Sequence, residues 1–170
     1  LGVAPHSLRA VSREGLEFAA KLAPDHPIHI HAAEQVAEVT EVEAAYGARP
    51  VAYLLDHADV DGRWCLIHCT QMERHETRRL AYSGAAAGLC PITESSLGDG
   101  IFDGRTYLDA GGAFGVGSDS NIRISLAEEL RTLEYSQRLR DRARAVLAEE
   151  RRSTGRVLLE GAAKGGAQAA

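Results

Sequence analysis

Short apolar runs separated by amphipathic stretches set the rhythm of this chain. Five runs read as strands: residues 1–5 (LGVAP), 27–31 (PIHIH), 64–69 (WCLIHC), 85–90 (AAAGLC) and 113–118 (AFGVGS). The stretches between them carry helical periodicity. Ser12 can cap a helix whose apolar positions are Leu16, Ala19, Ala20 and Leu22. EQVAEVTEVEAAYG places Val36, Val39 and Val42 on one side and stops at Gly47. PVAYLLDHA opens with Pro50, favoured in a first helical turn. Residues 72–82 read as helix, Ser125 and Glu128 form an S-x-x-E capping box ahead of Leu126, Leu130 and Leu133, and a last helix spans about residues 153–165.

Strands that are apolar throughout and alternate with helices predict an α/β fold with a parallel, helix-covered sheet. Five such units fit an open doubly wound sheet or part of a (β/α)8 barrel. No G-x-G-x-x-G follows a strand, which removes support for the dinucleotide-binding version.

Composition narrows the function classes. A length of 170 residues predicts one domain. The formal charge of −5, with no basic face, argues against a nucleic-acid partner. No apolar run approaches the roughly 18 residues that a membrane helix needs. Three cysteines without framework spacing point to a reducing, cytoplasmic setting and to buried thiols. The chain opens at Leu1 inside an apolar run, its only Met is Met72, and it closes on GAAKGGAQAA, so it reads as a piece of a longer protein.

The polar residues fall where parallel α/β folds gather their chemistry, at the C-terminal ends of strands. His6 follows the first run, His31 ends the second, His68 ends the third, Thr93 and Glu94 follow the fourth, and Asp119 follows the fifth. Loops alone account for Ser, Asn and Gly at such places, but poorly for three of the chain's seven histidines. Neutral imidazole and carboxylate bind Zn²⁺ or Fe²⁺, and a catalytic metal keeps a position for water. His31 and Asp119 are the natural ligands. Glu34, at the start of the next helix, can take the water's proton and pass it to a leaving nitrogen. His68 can hold that water or serve as a third ligand. Each has an ordinary alternative: Glu34 as a first-turn helix residue, His68 as a hydrogen-bonded core histidine, Asp119 as a turn residue. His29 shares a strand face with His31 and lies one layer deeper, in a supporting role.

HIHAAEQ, IHCT, CPITESSLGDGIF, GVGSDSN and EELRTLEYSQRL, in this order, resemble the amidohydrolase superfamily. Within it they resemble most the formimidoylglutamate deiminases; TESSLGDGIF with EELRTLEYSQRL is the more specific combination, and the resemblance covers essentially the whole chain. It implies a metal-dependent (β/α)8 barrel that hydrolyses N-formimidoyl-L-glutamate, in histidine degradation, to the formyl compound and ammonia. By matching motifs, His31 and Asp119 bind zinc, Glu34 shuttles protons and His68 orients water. His6 and Arg9 of APHSLR correspond to a substrate-contacting stretch, and an Arg there suits a dicarboxylate. The expected partner is a small-molecule substrate; a homodimer of the full-length protein is compatible with this.

The family's metal site also uses an H-x-H pair at the end of its first strand, and nothing in these residues supplies it. The spacing to Glu34 places HIH on strand five. Residues 1–170 are therefore expected to form an incomplete TIM barrel, strands four to eight with their helices, lacking the N-terminal strands and the C-terminal end. Five strands cannot close an eight-stranded barrel, so the isolated chain is expected to bind zinc weakly and to lack deiminase activity. The alternatives are another amidine, guanidine or heterocyclic amine as substrate, or a non-catalytic half-barrel that acts by pairing with a second chain.

Overall fold

The computed structural model describes residues 1–22 and 24–170. Helix α1 (Arg13–Leu22) precedes strand β1 (Ile28–Ala32). Helices α2 (Val36–Tyr46) and α3 (Pro50–His57) lead to β2 (Trp64–His68), and α4 (Arg74–Ser83) leads to β3 (Ala86–Leu89). Helices α5 (Pro91–Leu97) and α6 (Gly104–Asp109) lead to β4 (Ala113–Val116), and α7 (Leu126–Asp141) and α8 (Thr154–Ala169) follow. The sheet is parallel with order β1-β2-β3-β4. A strand order that never reverses has no switch point of the doubly wound kind.

Among the described residues four strands form rather than the five expected. Residues 1–7 run parallel to β1 but among the described residues make only the isolated bridges Val3↔Ile28 and Ser7↔His31. Pro5 has no N–H to give, and His6 turns to φ 38°, so the extended run breaks before a ladder forms. Two short helices, α5 and α6, were not expected. The capping box also moves: Ser125 makes no side-chain cap bond, because the Glu128 N–H goes to the Ser125 carbonyl at 3.0 Å, and the Glu128 carboxylate pairs with Arg123 and Arg131. The reciprocal box belongs to Glu73 and Glu76 of α4. Ser12 does cap, accepting from the Gly15 N–H at 3.2 Å. The last helix continues past 165 to Ala169.

The sheet has two different faces. Ile28, Ile30, Trp64, Leu66, Ala87, Leu89 and Phe114 alternate onto one face and are buried in the main core. Such side chains contribute roughly 1.5–3 kcal/mol each when fully buried. The register pairs His29 with Cys65, His31 with Ile67 and Ile67 with Gly88, so these share the other face. Gly88 is needed there: a Cβ would stand 2.6 Å from Ile67 Cδ1 and 2.9 Å from Cys65 Sγ.

Helix α8 seals the β4 side by close approach. A Cβ on Gly165 would lie 2.0 Å from the Phe114 carbonyl oxygen, and one on Gly161 2.6 Å from the Phe114 ring. The end of α8 then fastens to the lower edge of the sheet. Gln168 Nε2 donates to the carbonyls of Gly62 (3.0 Å) and Gly84 (2.7 Å), and His29 Nε2 donates to that of Ala169 (2.7 Å). His29 thus supports the fold from below. Among the described residues, no helix is long and apolar enough to cross a membrane.

Candidate active site

Backbone conformation marks the upper rim of the sheet. Among the described residues nine non-glycine residues have positive φ, and five of them, His6, Ala33, His68, Cys69 and Asp119, sit where strands or their neighbours end. Such conformations cost about 1–3 kcal/mol each and persist where the surroundings over-determine them. His68 shows the consequence. Its register partner is Ala32, so alternation along β2 would send it to the face away from His31. With φ at 72° it turns back, and its ring stacks on His31 with centroids 5.5 Å apart. The His6 ring approaches His31 from the other side, at 5.0 Å.

His68 is the centre of the cluster and is 1% exposed. Its Nδ1 donates to Glu94 Oε1 at 3.2 Å, and the same oxygen accepts from the Cys90 N–H at 2.8 Å. That fixes the ring with Nε2 facing Glu34 Oε1 and Asp119 Oδ2, each 3.7 Å away. Burial alone would lower the His68 pKa. The Glu94 hydrogen bond and the charges of Glu34, Glu94 and Asp119 outweigh it, and the net direction is upward. His31 donates Nδ1–H to the His6 carbonyl at 2.9 Å, which leaves its Nε2 lone pair free for a ligand.

Glu34 is held by its backbone. Glu38, buried in the first turn of α2, accepts from the N–H groups of Ala33 (2.9 Å) and Glu34 (2.7 Å) with its two carboxylate oxygens. The Thr70 hydroxyl reaches the carbonyls of Ala33 (3.2 Å) and Glu34 (2.5 Å). Burial pushes the Glu34 carboxyl up, His68 opposes that, and neighbouring Asp99 pushes it up further.

The expected residues His6, His31, Glu34, His68 and Asp119 therefore converge on one rim. Arg9 does not join them: it pairs with Glu41 of α2 at 2.8 Å, both side chains about half exposed. Glu94, noted in sequence only as following a strand, orients His68. Glu38, Thr70 and Asp99 were missed. Glu38 occupies the third helical position after Gln35, where an acidic residue often folds back onto N–H groups; nothing comparable flags Thr70 or Asp99. The ligand atoms of His68, Cys90 and Glu94 also lie within 4.8 Å of one another. This trio is internally hydrogen-bonded and the Cys90 thiol is pushed well up by burial, so it braces His68. All three cysteines are free and buried.

Strand-end histidines lie with a carboxylate in the loop ahead of α2 and another after β4, not with Glu34 inside the helix as expected; such donors suit a divalent metal ion, and the amidohydrolase family matches residues 1–154. The chain belongs to the amidohydrolase family. It is 49% identical to the formimidoylglutamate deiminase of Pseudomonas aeruginosa over 99% of its own length and 38% of that protein. A 5-methylthioadenosine/S-adenosylhomocysteine deaminase of Haloarcula marismortui is 35% identical over 75% of the chain and 31% of that protein. Among solved structures, an amidohydrolase from Brucella melitensis superposes with a TM-score of 0.98 at 58% identity, and a zinc-bound adenosine deaminase from Xanthomonas campestris with 0.88 at 27%. Each superposition covers 99% of this chain and 38% of the other. This amidohydrolase chain thus spans under two fifths of the length of these relatives.

Proposed function

We propose that this chain supplies the C-terminal part of the barrel, strands four to eight, of a hydrolase that converts N-formimidoyl-L-glutamate and water to N-formyl-L-glutamate and ammonia. In this reading residues 1–7 stand in for strand four. The 49% identity to a formimidoylglutamate deiminase across the whole chain is the observation that carries the reading.

The donor set fits a divalent cation. Glu34, Glu94 and Asp119 surround His68, and the His31 Nε2 lone pair is left free by the His6 carbonyl. His31 and Asp119 would hold the ion, zinc in the first instance and Fe²⁺ as the alternative. A bound divalent cation supplies Lewis acidity, lowering the pKa of water towards 7. Glu34 accepts a proton from the attacking water and delivers it to the departing nitrogen of the amidine carbon. Its upward-shifted carboxyl holds that proton more firmly than an ordinary Glu does. His68, fixed by Glu94, presents Nε2 to the same space and orients the water. His6 lines the rim beside His31. Arg9 reaches a substrate carboxylate only by exchanging Glu41 for it.

The test is ammonia release by the full-length protein that carries this chain, with formimidoylglutamate, S-adenosylhomocysteine and adenosine offered in parallel. Preferential turnover of formimidoylglutamate is expected; turnover of a purine nucleoside alone would overturn the reading. Arg9→Met should then raise KM for the dicarboxylate and leave a neutral formamidine unaffected.

A further inference from the structure

We propose that Asp99 is a positioning residue for Glu34: its side chain ties the start of α2 to the loop after α5 and so sets where the Glu34 carboxyl stands above the sheet. The proposal rests on the reading of Glu34 as the proton-transfer group.

Asp99 lies in the segment Gly98–Asp99–Gly100, far in sequence from Glu34, and is only 6% exposed. Its main chain is already secured without its side chain. The Asp99 N–H donates to the Glu94 carbonyl at 2.9 Å, and its own carbonyl accepts from Gln71 Nε2. Gly98 and Gly100 take φ of 74° and 129°, and a Cβ on Gly100 would stand 2.6 Å from Gln71 Nε2, so the turn is shaped by glycines pressed onto Gln71. The carboxylate is not needed to make this loop.

The side chain instead reaches across the rim. Oδ1 accepts from Gln35 Nε2 at 3.1 Å, and Gln35 is the residue joining Glu34 to α2. Gln35 has no side-chain role in capping its own helix. Oδ2 is buried with no hydrogen-bond partner among the described residues. An unpaired buried polar atom forfeits its hydration without recompense, the more so when it is charged. Asn or Ser would brace Gln35 without leaving a charged oxygen unpaired. The group beside that carboxylate is Glu34, whose hold on a proton Asp99 strengthens. The rim loops after β1, β2 and β3 thus meet at one residue: Gln71 and Glu94 hold the Asp99 main chain, and the Asp99 carboxylate alone carries the link to Gln35. A displacement near 1 Å of a catalytic group can cost on the order of 10²-fold in rate, so this brace bears on turnover.

The experiment uses the full-length protein with formimidoylglutamate. Asp99→Ala is expected to lower kcat by about tenfold or more with KM and zinc content unchanged, and Asp99→Asn, which keeps an acceptor for Gln35, to recover most of it. Wild-type kcat in Asp99→Ala, or a kcat loss accompanied by loss of zinc, would overturn the proposal. Hydrogen exchange across residues 33–39 of the same variants reads the brace without any turnover. Faster exchange in Asp99→Ala, restored in Asp99→Asn, supports it, and unchanged exchange refutes it. If the wild-type protein leaves formimidoylglutamate untouched, the substrate reading fails, and the exchange result still decides the role of Asp99.

Discussion

Where α8 meets β4 the contact is made of glycines, and where β1, β2 and β4 end it is made of histidines and carboxylates. At the first, backbone approaches backbone so closely that a methyl group on Gly165 would fall 2.0 Å from the Phe114 oxygen. At the second, strained residues are spaced so that polar atoms face one another at 2.5–3.7 Å. The helix contact depends on shape and has no chemistry in it. The rim depends on charge and orientation, and much of its shape is supplied by buried carboxylates that could be swapped for isosteres. The two regions should therefore respond oppositely to the same class of substitution.

The largest effects should separate them cleanly. Glu34→Gln changes almost no volume, and in the full-length protein it should lower kcat by roughly 10²–10⁴ while the urea unfolding midpoint does not fall below the wild-type value, because burial disfavours the charge that the amide removes. Gly165→Val should do the reverse. Overpacking a filled contact costs typically about 1–3 kcal/mol, and more where, as here, the clash is with main chain. Urea titration of the 170-residue chain should show a loss of at least about 3 kcal/mol or no cooperative transition. A Gly165→Val chain as stable as wild type would mean that α8 is free to stand off from β4.

Of the two regions the rim could be read in the sequence, whereas the glycine contact could not, since GAAKGGAQAA looks like a tail and its partner Phe114 lies about 50 residues away. The four strands were legible because parallel, doubly covered strands are continuous apolar runs, and His31, His68 and Asp119 stood out because ionisable residues ended them. Residues 1–5 have the same apolar look, but pairing depends on the backbone, and at the end of this run Pro5 and the following His6 stop the ladder. PITESSL is seven residues long, too short for helical period to register, and its only signals are Pro91 at the start and Gly98 at the end. Arg9 looked available because a sequence does not reveal that Glu41 sits one helix away. Asp99 was invisible for the same reason: its partner Gln35 is 64 residues distant. Local chemistry is written in local residues, whereas the bracing around it is made by long-range partners.

The smallest of these contrasts lies in pH. The glycine contact has nothing to titrate. The rim has His68, raised by Glu94, Glu34 and Asp119 against the downward pull of its own burial. A histidine whose folded pKa is raised contributes stability that is fully present below the unfolded value, about 6.5, and that is lost as pH rises through the folded value. Glu34, also raised, acts with the same sign at more acid pH, since its folded state holds the proton more firmly. Urea unfolding of the metal-free chain should therefore show the rim contribution declining as pH is taken upward from about 6. His68→Gln should flatten that part of the profile whatever it does to absolute stability, because it removes the titrating ring and keeps a donor for Glu94. Gly165→Ala, which perturbs only the glycine contact, should lower stability by the same amount at every pH. If His68→Gln and wild type fall in parallel, the imidazole is not held protonated by its carboxylate neighbours, and the rim is governed by shape in the same way as the opposite end of the sheet.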